Sequence, residues 1–598
     1  MKSYAGKGVL KKGLKKRTPA KMKVAAPNRK TTASPARKVS LKSLARKLEV
    51  VVGKDFVITP EKVEYWSYTF GDATMYRSSP DIIVYPGNVE EVQSIVRLAA
   101  KGHVPVVPGG GLTGLSGGAV CIGGILLNLS RLRSILQIDP ISHTVVVQPG
   151  VSCAVLNTAL AEQGMVIPVA PASHAISTIG ANIAEASGGT WGMSKGTFKN
   201  YLLALKVVDG EGNLFVTGYP FPKSSTGPDL TSLMIGSEGT LGIIVELTFR
   251  CDFIPEDTWT IRCSFGNESV LQEIHEAVAR ERINLYSFEY MDPKMMACFR
   301  KSNMLLLLQT AGSAHDARKE ADRLVAILER LNPLELKYTN DPKESEDLYA
   351  ERRSCLGAMA KFDREKPIIV QFDPVLPLRK FALGVRKMRE LADREGLLLI
   401  IYGHAGDGNL HPSLVVHDTI EDKRKAARLV REFDTWVEAE GGCYSGEHAV
   451  GFFLGRSREK LSPTTAGYVK SIKKAFDPKG ILNPGKVVNV KAPGMEVDPV
   501  LSEFVEIGKL CSLCTKCHLC KNDSPKFKDL PFEHNSIRGR VALVDAAARG
   551  KVLFSTIRPF IEEMEPWTVS MNCPTYMKTD IGKLIDLSLK AAEVANPS

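Results

Sequence analysis

The residues best suited to chemistry lie in two short segments late in the central region. "YGHAGDGNLHPSL" (402–414) follows the apolar run "LLLIIY" and places His404 and His411 on either side of a glycine-bearing turn. "SGEHAVG" adds Glu447 and His448. Two neutral imidazoles and a carboxylate form a suitable ligand set for a divalent metal. A single histidine in such a place is typically structural, but this combination beside glycine turns predicts a metal site.

Three glycine-rich loops precede these segments, and each lies beside a β-rich run. They are "PVVPGGGLTGLSGGAV" (105–120), "STIGANIAEASGGTWGMSKGT" (177–197) and "IGSEGTLGII" (235–244). Loops of this kind let backbone N–H groups converge on a phosphate without interference from Cβ atoms. The first loop fits neither G-x-G-x-x-G nor G-x-x-x-x-G-K-[ST]. The three loops together predict a long cofactor that lies across one domain.

A cysteine run, "CSLCTKCHLCKNDSP" (511–525), separates each cysteine from the next by two residues. The iron–sulfur pattern is C-x2-C-x2-C-x3-C-P, so Cys520 comes one residue early. In two-cluster ferredoxins the cysteine before the proline ligates the other cluster, and "NCP" further along supplies such a residue. We therefore predict one [4Fe-4S] cluster. Its ligands would be Cys511, Cys514, Cys517 and Cys573.

The positions that would hold a second cluster carry other residues. They are Lys521, Glu563, Pro566 and Val569. This pattern indicates a two-cluster module that kept one cluster and lost the other, and it leaves Cys520 without a ligand role or as an alternative fourth ligand. A zinc site of four thiolates is a further reading, although zinc sites normally separate their C-x2-C pairs by a longer loop. In the third reading, this C-terminal segment binds neither an iron–sulfur cluster nor zinc.

The elements that must position these residues are of mixed type. Segment 80–111 predicts a strand, a helix and a strand, because "VEEVQSIVRLAA" has helical apolar spacing between two β-rich runs. Glycine loops and β-rich runs continue to about residue 250, and the chain then alternates helical patterns with strands. We predict an α+β protein in four parts: a disordered basic tail at 1–48, a first domain at 49–252, a second at 253–490 and a small third unit at 501–598.

Composition restricts the classes of partner. The chain has 598 residues and a formal net charge of +12, and residues 1–48 hold sixteen Lys and Arg and no acid. The remainder therefore carries a net charge of −4, which does not support specific nucleic-acid binding. The tail suits a solubilising role or peripheral contact with an anionic membrane face. No apolar run approaches the ~20 residues of a membrane span, so we expect a cytoplasmic protein.

The glycine loops, with "VQPGV" and "GILNPGK", resemble the PCMH-type FAD-binding domain of the vanillyl-alcohol-oxidase family. The branch is that of D-lactate dehydrogenases, glycolate oxidase and D-2-hydroxyglutarate dehydrogenase, and the resemblance covers about residues 50–490. It implies a non-covalent FAD, an α/β cap domain for substrate and a helical ferredoxin-like C-terminal module. The implied FAD neighbours are Gly110, Gly111, Thr113, Gly114, Gly180, Asn182, Gly188, Gly189, Glu238 and Asn483. Gly109 and Leu112 depart from the Arg and Gly that are common there, which leaves the local pyrophosphate geometry open.

The same resemblance assigns roles in the second domain. "GHAGDGNLH" and "GEHAVG" resemble the family's metal and base motifs, which makes His404, His411 and Glu447 the ligands of a Zn, Mn or Fe ion. His448 becomes the catalytic base. "LYAERRSC" matches the family's substrate arginine at Arg352, with the adjacent Arg353 as the alternative.

The implied reaction converts a D-2-hydroxy acid to a 2-oxo acid. A metal-bound hydroxyl is acidified, an imidazole removes its proton, and the α-hydrogen leaves as hydride to the flavin. Electrons would then leave through the cluster to a partner protein subunit or a quinone.

Two residues bear on the substrate. Gln371 stands where relatives that take 2-hydroxyglutarate carry a lysine, and Ser413 where they carry an asparagine. Both changes shorten the polar reach toward a distal carboxylate, so we favour D-lactate or glycolate over D-2-hydroxyglutarate. A non-catalytic electron-transfer flavoprotein subunit remains the alternative from another class. A transferase of the alkyl-dihydroxyacetone-phosphate-synthase type is disfavoured by the intact "GDGNLH".

Overall fold

The structure is a computed structural model. It describes residues 40–70, 76–363, 365–366, 368–452, 461–487, 499–512, 514, 520–564 and 578–594. The chain combines helices and sheets, which confirms the predicted α+β class. In the described part of the chain, no helix combines the length and the apolar character that a membrane crossing requires.

The first glycine loop leaves a four-stranded sheet. Its strands are β1 (Val57–Ile58), β2 (Ile82–Val84), β3 (Val106–Gly109) and β4 (Ile125–Asn128), in the order β1-β2-β4-β3. β4 runs parallel to β2 and β3, and β1 is antiparallel to β2. Helices α1 (Leu41–Val52) and α2 (Val89–Gly102) pack in the same core. The strand, helix and strand predicted for segment 80–111 are therefore confirmed.

The other two glycine loops belong to an antiparallel five-stranded sheet and the helices around it. Its strands are β5 (Ile135–Asp139), β6 (Thr144–Val147), β8 (Leu202–Val208), β9 (Leu214–Gly218) and β10 (Ile243–Arg250), in the order β5-β6-β10-β8-β9. A separate pair joins β7 (Met165–Val166) to β11 (Asp252–Phe253). The helices are α3 (Cys153–Ala161), α4 (Ile179–Glu185), α5 (Gly192–Lys195) and α6 (Leu230–Met234).

The second domain is a seven-stranded antiparallel sheet in the order β15-β12-β14-β13-β17-β18-β16. The strands are β12 (Asp257–Phe265), β13 (Ser287–Met291), β14 (Met304–Gly312), β15 (Glu335–Thr339), β16 (Ile368–Gln371), β17 (Leu398–His404) and β18 (Asn409–Val416). The helices are α7 (Val270–Glu281), α8 (Pro293–Ala297), α9 (Ala314–Arg330), α10 (Pro342–Leu348), α11 (Ala350–Phe362), α12 (Phe381–Glu395), α13 (Ile420–Ala439) and α14 (Pro463–Phe476). Helices α7, α9, α12 and α13 cover one face of the sheet, and α8 and α11 pack on the other.

The described part of the third unit is helical. It contains α15 (Val505–Ser512), α16 (Cys520–Asp523), α17 (Pro525–Asp529), α18 (Ile537–Ala548), α19 (Phe554–Glu562) and α20 (Lys578–Val594). Short 3-10 helices occur at Lys54–Phe56, Val63–Tyr68, Phe198–Asn200, Leu378–Lys380, Ser502–Phe504 and Glu533–Asn535. Tyr68 and Leu126 of the first domain share one hydrophobic core with Leu543 and Ile557 of the third unit. The third unit is thus packed onto the first domain.

The predicted basic tail ends earlier than residue 48. Residues 41–48 open helix α1 and bury Leu44 and Leu48 against the four-stranded sheet. The four-residue spacing of these leucines places them on one helical face, and burial of that face outweighs the surrounding positive charge. The prediction was therefore wrong at this boundary, while residues 1–39 lie outside the described part of the chain.

The shared core predicts that the third unit and the first domain unfold together. Leu543→Ala removes a fully buried side chain from this core, and such a change typically destabilises by about 2–5 kcal/mol. We expect a lower midpoint for one common transition in urea, followed by tryptophan fluorescence and far-UV circular dichroism. Leu553→Ala, at a 43 % exposed leucine, is the control. A separate early transition that leaves the first domain folded would contradict the shared core.

Candidate active site

One face of the seven-stranded sheet carries the candidate catalytic histidines. Glu289 of β13 is the cross-strand partner of His404 on β17, and Tyr402 of β17 is the partner of His411 on β18. Cross-strand partners project to the same face of a sheet. The sheet register therefore brings the two histidines together on the face that α11 covers.

His404, His411 and Glu447 converge as the sequence predicted for a metal site. Glu447 Oε1 lies 3.3 Å from His404 Nε2 and 3.2 Å from His411 Nε2. The two imidazole rings are 4.9 Å apart and nearly perpendicular, so their Nε2 atoms face the same carboxylate. Two imidazole nitrogens and one carboxylate oxygen within this distance fit a single divalent ion.

A carboxylate that the sequence analysis did not select, Asp373, holds the loop that supplies Glu447. Asp373 Oδ2 accepts hydrogen bonds from the N–H groups of Gly446 (2.8 Å), Glu447 (2.7 Å) and His448 (2.7 Å). Asp373 is fully buried at the end of β16. Burial opposes its ionisation, but the neighbouring His448 and His411 outweigh burial and keep the pKa of Asp373 below the ordinary value. Asp373 thus fixes the backbone beneath both a ligand and the base.

The other oxygen of Asp373 lies behind the histidine ligand. Asp373 Oδ1 accepts from Asn409 Nδ2 (2.8 Å) and lies 3.5 Å from His411 Nδ1. A carboxylate behind the outer ring nitrogen typically fixes the tautomer of a metal-ligating histidine. The opposite ring nitrogen, His411 Nε2, faces Glu447 Oε1 at 3.2 Å.

Glu289 gives His404 a matching partner. Its Oε1 lies 2.6 Å from His404 Nδ1, and its Oε2 accepts from Arg352 Nε at 2.5 Å. Burial opposes the ionisation of Glu289, but Arg352 and His404 outweigh it and lower its pKa. In the ion-free protein Glu289 and Glu447 in turn raise the pKa of His404, against burial. Binding of an ion should therefore displace a proton from His404.

His448, the predicted base, lies against the metal group. Its ring stacks on that of His411 at 4.8 Å between centroids. Its Nε2 lies 3.7 Å from Glu447 Oε1, and its Nδ1 lies 3.9 Å from Asp373 Oδ1. Burial lowers the pKa of His448, although Asp373 opposes the shift. A neutral imidazole in this position is suited to accept a proton.

The structure separates the two candidate substrate arginines. Arg352 is buried beside Glu289, and its guanidinium lies 5.0 Å above the ring of Tyr402. Arg353 has a 47 % exposed side chain and pairs with Glu346 on the outside of α11. Arg352 therefore lies at the site, and Arg353 does not.

The glycine loops enclose a cleft with an empty volume of about 750 Å³, including the part open to solvent. The predicted FAD neighbours that line it are Gly110, Thr113, Gly114, Gly180, Asn182 and Glu238. Thr178 also lines it, and its buried hydroxyl has no hydrogen-bond partner among the described residues. A cleft of this size with glycine walls and an unpaired hydroxyl fits a dinucleotide cofactor.

The other four predicted FAD neighbours lie behind or beside this cleft. Gly111 packs against the carbonyl of Ile176, and Gly189 against the carbonyl of Ala170. Asn483 Nδ2 donates to the carbonyls of Gly118 (3.0 Å) and Glu238 (2.6 Å). Gly188 faces the metal group, because a Cβ on it would lie 2.7 Å from Glu447 Oε2. The close approach of Gly188 therefore places the second glycine loop against the histidine site.

Glu238 ties the cleft to the loop that carries the base. Its carboxylate accepts from the N–H groups of Val450 (3.0 Å) and Gly451 (3.0 Å). Lys486, fully buried, donates to Gly118, Val120 and Asn483, each at 2.7 Å. The closing segment "GILNPGK" thus locks the first and third glycine loops together.

The predicted cluster ligands are only partly described. Cys511 and Cys520 are buried in the core shared with the first domain, and the N–H of Cys514 donates to the carbonyl of Cys511 at 3.2 Å. Cys517 and Cys573 lie outside the described residues. The cluster stays a prediction.

Sequence reasoning missed Asp373 and Glu289, although each left a signal. Glu289 is an acid in the middle of the otherwise uncharged strand "SFEYM", and Asp373 directly follows the apolar run "IIVQF". A buried carboxylate requires partners, which marks both residues as part of a polar site. The hydrogen-bond partners of Glu289 and Asp373 cannot be identified without knowing how the strands of the sheet pair.

The FAD-type cleft joined to a histidine site on a second domain defines a flavin-dependent oxidoreductase. A family model for "FAD binding domain" matches residues 80–218, and one for "FAD linked oxidases, C-terminal domain" matches residues 254–487. The chain belongs to this family of FAD-linked oxidases and binds FAD.

Individual relatives agree with this assignment. Glycolate oxidase subunit GlcD of Bacillus subtilis (strain 168) is 31% identical over 434 residues, which cover 70% of this chain and 91% of the relative. D-lactate dehydrogenase of Archaeoglobus fulgidus is 31% identical over 413 residues, covering 68% and 91%. The solved structure of p-cresol methylhydroxylase matches with a TM-score of 0.63 at 17% identity, over 74% of this chain and 96% of that chain. That likeness concerns the fold.

The role of Asp373 is testable by removing one of its acceptors. Asp373→Asn places an NH₂ group against either the three loop N–H groups or Asn409 Nδ2. We expect a 10- to 100-fold loss of divalent-metal affinity, the usual effect of removing such a supporting group, measured by chelator competition. Asp393→Asn, at an exposed aspartate on α12, is the matched control. Unchanged metal affinity in Asp373→Asn would refute the positioning role.

Proposed function

We propose that this protein is an FAD-dependent dehydrogenase that oxidises a D-2-hydroxy acid to the 2-oxo acid. The observation that carries the proposal is the approach of Gly188 to Glu447. A hydroxyl group held at the His404, His411 and Glu447 group would lie beside the flavin cleft. The relatives named as glycolate oxidase subunit and D-lactate dehydrogenase support the substrate class.

Arg352 is the residue that we assign to the substrate carboxylate. Its Nε is engaged by Glu289, and no hydrogen bond to its two terminal nitrogens is found among the residues that the structure describes. These terminal nitrogens remain for a carboxylate, which an arginine binds in a planar, directional way. Glu289 and the ring of Tyr402 hold the guanidinium in place.

His448 is the group that we assign to proton removal. Its Nε2 faces Glu447, and the ring is held by the stack on His411 and by the backbone bond to Asp373. Burial keeps the imidazole neutral, so Nε2 can take the proton of the substrate hydroxyl. When bound, FAD supplies the acceptor for the α-hydrogen and two electrons, and a Zn, Mn or Fe ion supplies the positive charge that acidifies the hydroxyl.

The polar residues beyond Arg352 favour a small substrate. Gln371 and Ser413 are cross-strand partners, so both project to the face that carries the site. Gln371 Nε2 donates to the hydroxyl of Tyr402 at 2.6 Å, and Ser413 is fully buried. Neither offers a positive charge to a second carboxylate. We therefore propose D-lactate or glycolate as the substrate, with D-2-hydroxyglutarate as the alternative.

Electrons are proposed to leave through a [4Fe-4S] cluster held by Cys511, Cys514, Cys517 and Cys573. The burial of Cys511 in the core shared with the first domain supports this route, because Cys511 then lies against the flavin-binding domain. A one-electron centre beside a two-electron flavin suits transfer to a protein subunit or a quinone. A peripheral membrane contact of the basic tail would be compatible with a quinone.

Substrate identity is tested by anaerobic titration of the FAD-loaded protein with D-lactate, glycolate and D-2-hydroxyglutarate. We expect bleaching of the flavin absorbance with D-lactate or glycolate. A protein that retains FAD yet is bleached by none of the three would be an electron-transfer subunit rather than a dehydrogenase.

The base is tested by His448→Gln. Loss of a general base typically slows the reaction 10²- to 10⁴-fold, so flavin reduction in stopped flow should slow by that factor while FAD and metal content stay unchanged. His417→Gln, at a histidine with a 47 % exposed side chain, is the control and should reduce its flavin at the wild-type rate. A rate loss below tenfold in His448→Gln would exclude it as the base.

The cluster ligands are tested by two serine variants of anaerobically prepared protein. Cys573→Ser should lose acid-labile sulfide and the cluster absorbance, because it removes the fourth ligand. Cys520→Ser should keep both. Zinc without sulfide in the unmodified protein, or the reverse order of the two variants, would overturn the assignment.

A further inference from the structure

Lys521, which directly follows Cys520, reaches out of the C-terminal helices into the flavin-binding domain. Its Nζ donates to the carbonyl oxygen of Gly111 at 2.9 Å and to the carboxylate of Glu533. Its side chain is 1 % exposed. This contact joins the cysteine segment to the first glycine loop.

A buried network holds Lys521 in this position. Glu533 Oε2 accepts from Arg538 Nη1 at 2.6 Å, and the N–H of Glu533 donates to the hydroxyl of Tyr68 at 3.1 Å. The Tyr68 and Tyr85 hydroxyls are 2.5 Å apart. The network therefore spans both units, with Glu533 in the third and the two tyrosines in the first.

A lysine here is energetically demanding. Burial lowers the pKa of Lys521, and Glu533 opposes that shift. An apolar side chain would fill the same space without desolvating a charge, and Glu533 already has Arg538 as a partner. The contact that an apolar residue could not replace is the bond to Gly111. The hydrogen bond from Lys521 to Gly111, which joins the third unit to the first domain, is therefore the contact in this network that requires a lysine.

Gly111 lies where this contact would influence the cofactor. It stands between Gly110 and Leu112, both of which line the flavin cleft. Leu112 has a φ of 56°, a left-handed conformation that is unfavourable for leucine. A Cβ on Gly111 would lie 2.6 Å from the carbonyl oxygen of Ile176. The peptide between Gly111 and Leu112 is therefore confined by Ile176 on one side and by Lys521 on the other.

The direction of that peptide follows from the Lys521 contact. In a trans peptide the C=O and the following N–H point in opposite directions. Because Lys521 fixes the carbonyl of Gly111, the N–H of Leu112 points away from the C-terminal helices. A glycine loop binds phosphate through N–H groups that are held in one direction.

We propose that Lys521 is a positioning residue for FAD: it fixes the first glycine loop through Gly111 and makes flavin retention depend on the C-terminal helices. The inference goes beyond the proposed function, because it depends on FAD binding but on neither the substrate nor a cluster. Lys521 occupies a position that a two-cluster run would give to a cysteine. The same position therefore connects the C-terminal unit to the first glycine loop.

The test uses the full-length chain stripped of FAD and then titrated with FAD. Lys521→Met leaves Glu533 and Arg538 as a balanced pair, so the fold should be retained. Loss of a hydrogen bond from a charged donor should raise the Kd for FAD by about tenfold to a hundredfold. Deuterium exchange in the apo-protein should rise within residues 109–114. Lys526→Met, at a lysine with a 54 % exposed side chain, is the matched control and should keep the wild-type Kd.

Two further variants separate positioning from general loosening. Asp545→Asn weakens another contact between the units, the 2.9 Å pair with Arg77, and should lower the unfolding midpoint while the Kd for FAD stays within threefold of wild type. Lys521→Gln is one bond shorter and can keep Glu533 but not Gly111 as well. It should bind FAD as weakly as Lys521→Met, and it serves if the methionine variant does not fold. A wild-type Kd in Lys521→Gln, or an equal loss in Asp545→Asn, would overturn the proposal.

Discussion

The candidate active site depends on one buried carboxylate. Asp373 accepts three consecutive N–H groups from residues 446–448, a segment without helix or strand. Such a segment has no internal pattern of hydrogen bonds, so its conformation must be imposed from outside. The same carboxylate also lies behind His411, so a single residue contacts a histidine ligand and fixes the backbone of a carboxylate ligand and of the candidate base. Asp373 can stay ionised in the interior because both of its carboxylate oxygens accept hydrogen bonds.

The site is completed by buried charges that connect separate units. Glu238 reaches from the third glycine loop to the N–H groups of Val450 and Gly451. Lys486 holds the first glycine loop from the end of the second domain, and Lys521 holds it from the third unit. A carbonyl or carboxylate inside the protein needs a donor, and here the donors come from distant parts of the chain. These hydrogen bonds consequently fix the position of the cofactor cleft relative to the loop that carries the candidate base.

Much of the fold was predictable from local pattern. The strand, helix and strand at 80–111 follow from apolar periodicity, and the strand at Leu398–His404 follows from the apolar run "LLLIIY". The predicted tail boundary was wrong because the leucine spacing of "LKSLARKLEVVV" gives this positively charged segment a helical face that can be buried. Among the site residues, the structure brings His404, His411 and Glu447 together, and six of the ten glycine-loop residues line the cleft. Asp373, Glu289 and Lys521 were not identified, because each acts through a partner that is distant in sequence.

The sequence by itself determined the chemical inventory: two histidines, a glutamate and a third histidine in glycine turns, three glycine loops and a cysteine run. Residue type and short-range spacing suffice for this, since they express what each segment can bind. Only the tertiary structure decided which of these groups meet. The antiparallel register pairs Glu289 with His404. Folding of the two domains brings Gly188 against Glu447. Packing of the C-terminal helices brings Lys521 to Gly111. Contacts of this kind arise from burial of whole elements, which no local stretch of sequence specifies.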